Sequence, residues 1–312
     1  MIDTVLALLT GPFKDIASSP VFFVEVVLGG IFAGLMYSLV ALGFVLIYKA
    51  SGVFNFAQGV MVLFAALTLV GLLERKVPVP VALLLTTAVM IALAFAIERV
   101  VLRPLVNQPY IILFMATIGL NFFLEGFGEM LWGANVKRLD VGIPDKSFMV
   151  KGVQINQLEL TAAVTAAILV TVLAVFFQRT RIGRALRAVA DDHQAALSVG
   201  IPLERIWALV WAAAGAVALV SGLLWGSRLG VQFALTQIAF KALPVIILGG
   251  FTSIAGAIVG GLMVGASEKV AEVYLGPVLG GGIENWFPYV LALLFLLVRP
   301  DGLFGEKRIE RV

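Results

Sequence analysis

The sequence predicts an all-α polytopic integral membrane protein, on three observations. Hydrophobic residues fill 61% of 312 positions, charged residues only 13%, and the mean hydropathy is +1.05, far outside the balance of soluble domains. Eight apolar segments lie near 22–48, 54–73, 79–98, 110–132, 158–177, 206–226, 239–267 and 285–298, most of them close to the ~20 residues that a helix needs to cross a hydrocarbon core. The net charge of +3 comes mostly from lysines and arginines in the loops, so it reads as membrane topology and not as affinity for nucleic acid.

Taken in order, residues 1–21 form an N-terminal extracytoplasmic or interfacial segment. They lack the positive n-region of a secretory signal, and their apolar run is too short to span. The transmembrane body, 22–298, follows. Its first two runs are separated by a short break at 48–52, after which Asn55 and Gln58 open the next run. Irregular backbone at membrane depth is tolerated only beside protein or a water-filled path, so the break is either a pathway element or a plain tight loop. The third run ends at Glu98, Arg99, Arg103 and Pro104, where proline stops the helix and the arginines mark the cytoplasmic face. Thr117 and Asn121 lie in the fourth run, with Glu125 and Glu129 one helical turn apart. The two carboxylates read either as an ion-binding pair or, preferably, as groups near the outer end that snorkel to water. Residues 133–157 form the longest outer loop, with turns marked by Pro144 and Gly152.

The longest polar interruption after the midpoint covers 178–206, with Arg179, Arg181, Arg184 and Arg187 at its start. Basic residues beside a span mark the inside. Within it, Ile182, Leu186 and Val189 share a helical face, Asp191 or Asp192 can cap a second short helix, and Gly200 with Pro202 ends it. His193 reads as a solvated or contact-forming residue. Counting crossings back from this loop puts Met1 outside. Counting forward through single crossings would put the tail, 299–312, outside as well, yet its four basic residues argue for the cytoplasm. The conflict sits in 239–267. As one helix it would be ~43 Å long against a ~30 Å core, and Gly249, Gly250, Ser253 and Gly256 interrupt it. A broken or re-entrant hairpin restores the parity.

Asn55, Gln58, Thr117, Asn121 and Ser221 either line an amphipathic path or tie helices together by hydrogen bonds. The break at Gly249, Gly250 and Ser253 joins the candidate path. Lys241 could attract an anionic group, though a snorkelling lysine is the commoner case. Glycines four apart (Gly30/Gly34, Gly222/Gly226, Gly256/Gly260, Gly261/Gly265) permit close helix packing. With no cysteine and one histidine, thiol chemistry and a histidine-based metal site are excluded. The sequence has no G-x-x-x-x-G-K-[ST] loop to cradle phosphates, and no proximal carboxylate and histidine cluster for hydrolysis. Any ATP that energises the chain is therefore used on another chain.

Residues 194–200, QAALSVG, are similar to the EAA-x-x-x-G loop of ABC importer permeases, with Gln194 in the glutamate position. SLVALG at 38–43 followed by NFAQG at 55–59, TIGL at 117–120, RIGRALRA at 181–188, LGGFTSIAGA at 248–257 and RPDGLFG at 299–305 resemble, in order, the LivH-type branched-chain amino acid permeases. That family often has histidine at Gln58 and usually proline at Ala255. The resemblance implies the transmembrane subunit of an ATP-binding cassette importer for branched-chain or other hydrophobic amino acids in the bacterial inner membrane. Its implied partners are a homologous permease subunit, two cytoplasmic ATPase subunits, an extracytoplasmic solute-binding protein and membrane lipid, with no nucleic acid. No cofactor is expected in this chain, since ATP and magnesium belong to the ATPases. Arg184, Arg187, Gln194, Ala195, Ala196 and Gly200 are the implied coupling residues. Relatives of this type also handle urea, short amides and aromatic or other carboxylates. An ion-coupled secondary carrier would need paired intramembrane carboxylates, which only Glu125 and Glu129 approach, and a passive channel would leave the cytoplasmic helix without a purpose.

Overall fold

The computed structural model describes residues 11–105 and 108–305, apart from the His193 side chain. The expectations for the first ten residues, for the basic residues beyond 305 and for the histidine side chain lie outside the described residues. Among the described residues, six helices are long and apolar enough to cross a membrane, and three shorter apolar helical runs accompany them.

The centre of the bundle is α1, Pro20–Ser51, a 32-residue helix of about 48 Å. It is apolar all round and buried from Met36 to Ile47, as a helix enclosed by others must be. Gly52 closes it in the left-handed conformation, returning its N–H to the Tyr48 carbonyl. α2 (Gln58–Glu74) is equally enclosed. α3 (Val79–Ala96) does not stop at the proline: it continues through a π-helical turn, Ile97–Leu102, and a 3-10 turn, Arg103–Leu105. The π turn is where Glu98 is buried, and Arg103 bridges it to Glu204 at 3.2 and 2.9 Å. α4 (Tyr110–Trp132) and α5 (Gln157–Arg179) follow, each buried along one stripe only.

The loop between α4 and α5 contains a hairpin that was not expected. β1 (Ser147–Val150) pairs antiparallel with β2 (Val153–Asn156) across a two-residue turn. Lys151 and Gly152 both have positive φ, 51° and 87°, the backbone a tight hairpin turn needs. Strands of four residues are too short for an alternating pattern to stand out in a loop.

Two short helices, α6 (Arg181–Asp191) and α7 (His193–Ser198), precede the buried α8 (Leu203–Leu229). The run at 239–267 is a hairpin of two limbs whose true limits are wider. The first limb, Phe233–Gly249, is a 3-10 turn (Phe233–Thr236), α9 (Gln237–Lys241) and α10 (Leu243–Gly249). Pro244 at the start of α10 has no N–H to continue the ladder, which accounts for the interruption. The chain reverses at 250–253, and the second limb, α11, runs over Ile254–Leu279. The apolar window had captured only the facing halves of the two limbs. A 3-10 turn (Ile283–Asn285) leads to α12, Phe287–Val298.

α1 and α11 meet along a seam without side chains. A Cβ on Gly34 would meet the Gly261 carbonyl, and one on Gly265 would meet the Gly30 carbonyl. The spacing of four thus brings backbones together across helices. The tail returns to the hairpin, with the N–H groups of Leu303 and Phe304 donating to the carbonyls of Leu248 and Gly249 at 2.8 and 3.1 Å. A cleft of about 190 Å³ lined by Gly183, Arg187, Ser253 and Phe304 places this tail at the same end of the bundle as α6.

Candidate functional site

The break between α1 and α2 is held by its own polar side chains. Asn55 Oδ1 accepts from the Ala57 N–H at 3.1 Å, Asn55 Nδ2 faces Gln58 Oε1 at 3.4 Å, and the Phe56 N–H donates to Thr117 Oγ1 at 3.1 Å. Asn55, Gln58 and Thr117 are all buried. They bring the break against α4, with Gln58 packed on Gly43 of α1. Gln58 Nε2 has no hydrogen-bond partner among the described residues.

Beside the break is a cavity of about 320 Å³. It is walled by Phe44, Phe54, Phe56, Phe122 and Phe240, and Asn121, Glu125, Thr236 and Gln237 supply its polar lining. Phe44 stacks on Phe54 at 4.7 Å, and Phe56 meets Phe240 edge-on at 5.6 Å. Asn121 therefore lines this space, whereas Asn55, Gln58 and Thr117 support its wall. Glu129 is not part of the lining. Gly249, Gly250 and Ser253 are at the reversal between the limbs, where the Ser253 hydroxyl caps α11 by accepting from the Gly256 N–H at 3.0 Å.

Sequence reasoning missed the polar group behind the cavity wall. Glu268, on α11, is only 2% exposed. Its Oε1 accepts from Lys241 Nζ at 3.1 Å and from the Tyr37 hydroxyl at 3.2 Å. Lys241 is thus committed to a carboxylate within the bundle instead of reaching the headgroups. Tyr37 is stacked on Trp225 with ring centroids 5.3 Å apart. The signal was available: a carboxylate inside an apolar helix marks a functional or pairing site. The expected span, however, stopped at 267, one residue short. Among the described residues no group of three or more histidine or acidic side chains could hold a metal ion.

At the arginine-rich end, Thr180 caps α6 by accepting from the Gly183 N–H, and Asp192 caps α7 by accepting from the N–H groups of Gln194 and Ala195 at 2.8 and 3.0 Å. Gly200 follows with φ +83°, a value that favours glycine. Arg187 donates to the Phe177 and Gln178 carbonyls at 2.8 and 3.3 Å, satisfying the end of α5, while Arg184 is exposed. On α7, Gln194 and Ala195 face out and Ala196 faces in. Leu197 and Val199 are 53% and 74% exposed, so a short apolar strip is presented at this end.

A helical bundle apolar enough to span a membrane repeatedly, with a small aromatic and polar cavity, defines a multi-pass membrane protein. Residues 26–299 match the family described as "Branched-chain amino acid transport system / permease component", and the chain belongs to that family. It is 29% identical over 310 residues to the high-affinity branched-chain amino acid transport system permease protein LivH of Escherichia coli (strain K12), covering 93% of this chain and 98% of that one. Identity to the corresponding protein BraD of Pseudomonas aeruginosa is 30% over 306 residues, with the same coverage. A probable LivH of Methanocaldococcus jannaschii is 26% identical over 300 residues, 91% of this chain and 94% of that one. These relatives are transport permease subunits.

Proposed function

We propose that the chain is the transmembrane subunit of an ATP-driven importer for branched-chain or other hydrophobic amino acids in the bacterial inner membrane. It accepts solute from an extracytoplasmic binding protein, pairs with a homologous permease and is moved by two separate ATPase subunits. One observation carries the substrate reading: relatives named for branched-chain amino acid transport match it over nearly their full length.

In this reading 178–206 and the tail from 299 are cytoplasmic, 22–298 is the permease domain and α7 is the coupling helix. The exposed Leu197 and Val199 favour that role, since an apolar strip on an otherwise polar loop suits a cleft on a partner. Arg184 and Arg187 anchor the segment, Gln194 and Ala195 flank the contact, and the buried Ala196 seats the helix on its own subunit. ATP then changes access to the path only as far as the ATPases bind the two states of this surface with different affinity.

The test is reconstitution in proteoliposomes with the ATPases and the binding protein. Leucine uptake is expected to require ATP and all partners. Gly200→Asp and Leu197→Glu are expected to lower uptake at least tenfold while the subunit still inserts and ATP is still hydrolysed. Leucine transport by this chain in liposomes without any ATPase would rule the proposal out.

A further inference from the structure

We propose that the cavity between α4, the break at 52–57 and the first limb of the hairpin is a subsite that reads a zwitterionic amino acid. Glu125 receives the α-ammonium group, the Asn121 and Gln237 amides receive the carboxylate, and the phenylalanine wall receives the side chain. The assignment rests on the importer reading above and narrows it.

The cavity's charge carries the argument. Glu125 is the one acidic residue in its lining, and among the described residues no lysine or arginine lines it. The nearest lysine in sequence, Lys241, is engaged behind the wall by Glu268. Glu125 itself makes no ion pair among the described residues. A free carboxylate solute would meet the Asn121 and Gln237 amides but be repelled by Glu125, and a neutral amide could offer Glu125 an N–H donor but no cation. An amino acid carries its own cation, and its carboxylate lies two bonds from it. Asn121 and Glu125 are i and i+4 on α4, with Cβ atoms about 5–6 Å apart, so one turn of helix places an amide donor and a carboxyl group side by side in the lining. At about 320 Å³ the space lies near the floor of the ~300–1,000 Å³ range of ligand pockets, fitting a small solute. Half-exposed polar groups would also be costly against lipid, which favours a solute-facing role for this surface.

The complete complex in proteoliposomes provides the test. Glu125→Gln is expected to reduce leucine uptake at least tenfold, Glu125→Asp to restore part of it, and Glu129→Gln to behave as wild type. Leucine affinity of the binding protein stays unchanged throughout. Since the chain has no cysteine, Thr236→Cys provides a single reporter in the cavity on otherwise unaltered protein. Leucine is expected to slow its maleimide labelling several-fold, and 4-methylpentanoate, which lacks the ammonium group, is expected not to. Full leucine uptake by Glu125→Gln, or equal labelling with and without leucine, overturns the subsite and leaves the importer intact. A wild-type complex that carries short amides or carboxylates and no amino acid overturns both.

Discussion

Glu268 bears two hydrogen bonds, from Tyr37 and Lys241, in the interior of the bundle. Breaking a buried ion pair by removing one partner costs about 3–5 kcal/mol, because the other charge is left without compensation. Lys241→Ala is therefore expected to lower thermal stability in detergent strongly. The exchanged pair, Lys241→Glu with Glu268→Lys, is expected to recover a substantial part of it, and a thermal melt of the three proteins checks this. A double exchange no better than the single change would deny the pair its holding role. Lys241 closes α9, and Phe240 before it forms part of the cavity wall, so the pair positions that wall from behind. At this scale the sequence was half legible. Asn55, Gln58 and Thr117 stood out as polar groups in apolar runs, and the alternatives of lining a path or tying helices were both open. Their hydrogen bonds favour tying. The Lys241 and Glu268 contact joins residues 27 apart, and nothing local announces such a meeting.

Helices whose ends are fixed by local chemistry were the readable elements. The end of α7 at Gly200, and a cap at Asp191 or Asp192, follow from turn and capping preferences that act within four residues. Asp192 proves to be the cap. Replacing an N-cap aspartate by alanine costs about 1 kcal/mol, a large share for a six-residue helix. Asp192→Ala is expected to speed amide exchange at Gln194 and Ala195 about fivefold and to lower ATP-driven uptake, with little change in the melting of the bundle. Asp192→Asn, which keeps the acceptor, is expected to resemble wild type, and hydrogen exchange resolved at those two amides decides between them. The elements that escaped were those whose limits depend on distant partners. The limb Phe233–Gly249 is cut by Pro244 and completed by packing on α2, where a Cβ on Gly59 would meet the Thr236 carbonyl. Hydropathy registers neither event.

Across the whole molecule, one reversal was legible and its geometry was not. Arginines at 179–187 and the basic tail asked for an extra turn in 239–267, and the chain does reverse at 250–253. Glycines at intervals of four signalled close packing without saying which helices meet. In the fold, Gly30 and Gly34 face Gly261 and Gly265. Overpacking such a contact costs about 1–3 kcal/mol per site, and here the obstacle is backbone, which yields less than a side chain. Gly261→Ala is expected to lower the melting temperature and broaden the gel-filtration peak, whereas Gly126→Ala, with open space at its Cβ, is expected to leave both unchanged. Equal behaviour of the two variants would remove the seam's special standing.

The strap formed by Leu303 and Phe304 over the hairpin reversal bears on how the protein is handled at the bench. Gly305, the last described residue, has its backbone against Gly250, on the side of the bundle that carries α6, so an affinity tag or fluorescent fusion at the carboxyl end is tethered to that side. A bulky fusion there would crowd the surface assigned to the ATPases and mimic a transport defect. The turn at Lys151 and Gly152, at the tip of the exposed hairpin, is the better place for a reporter, because it is remote in sequence from both the cavity lining and the coupling helix.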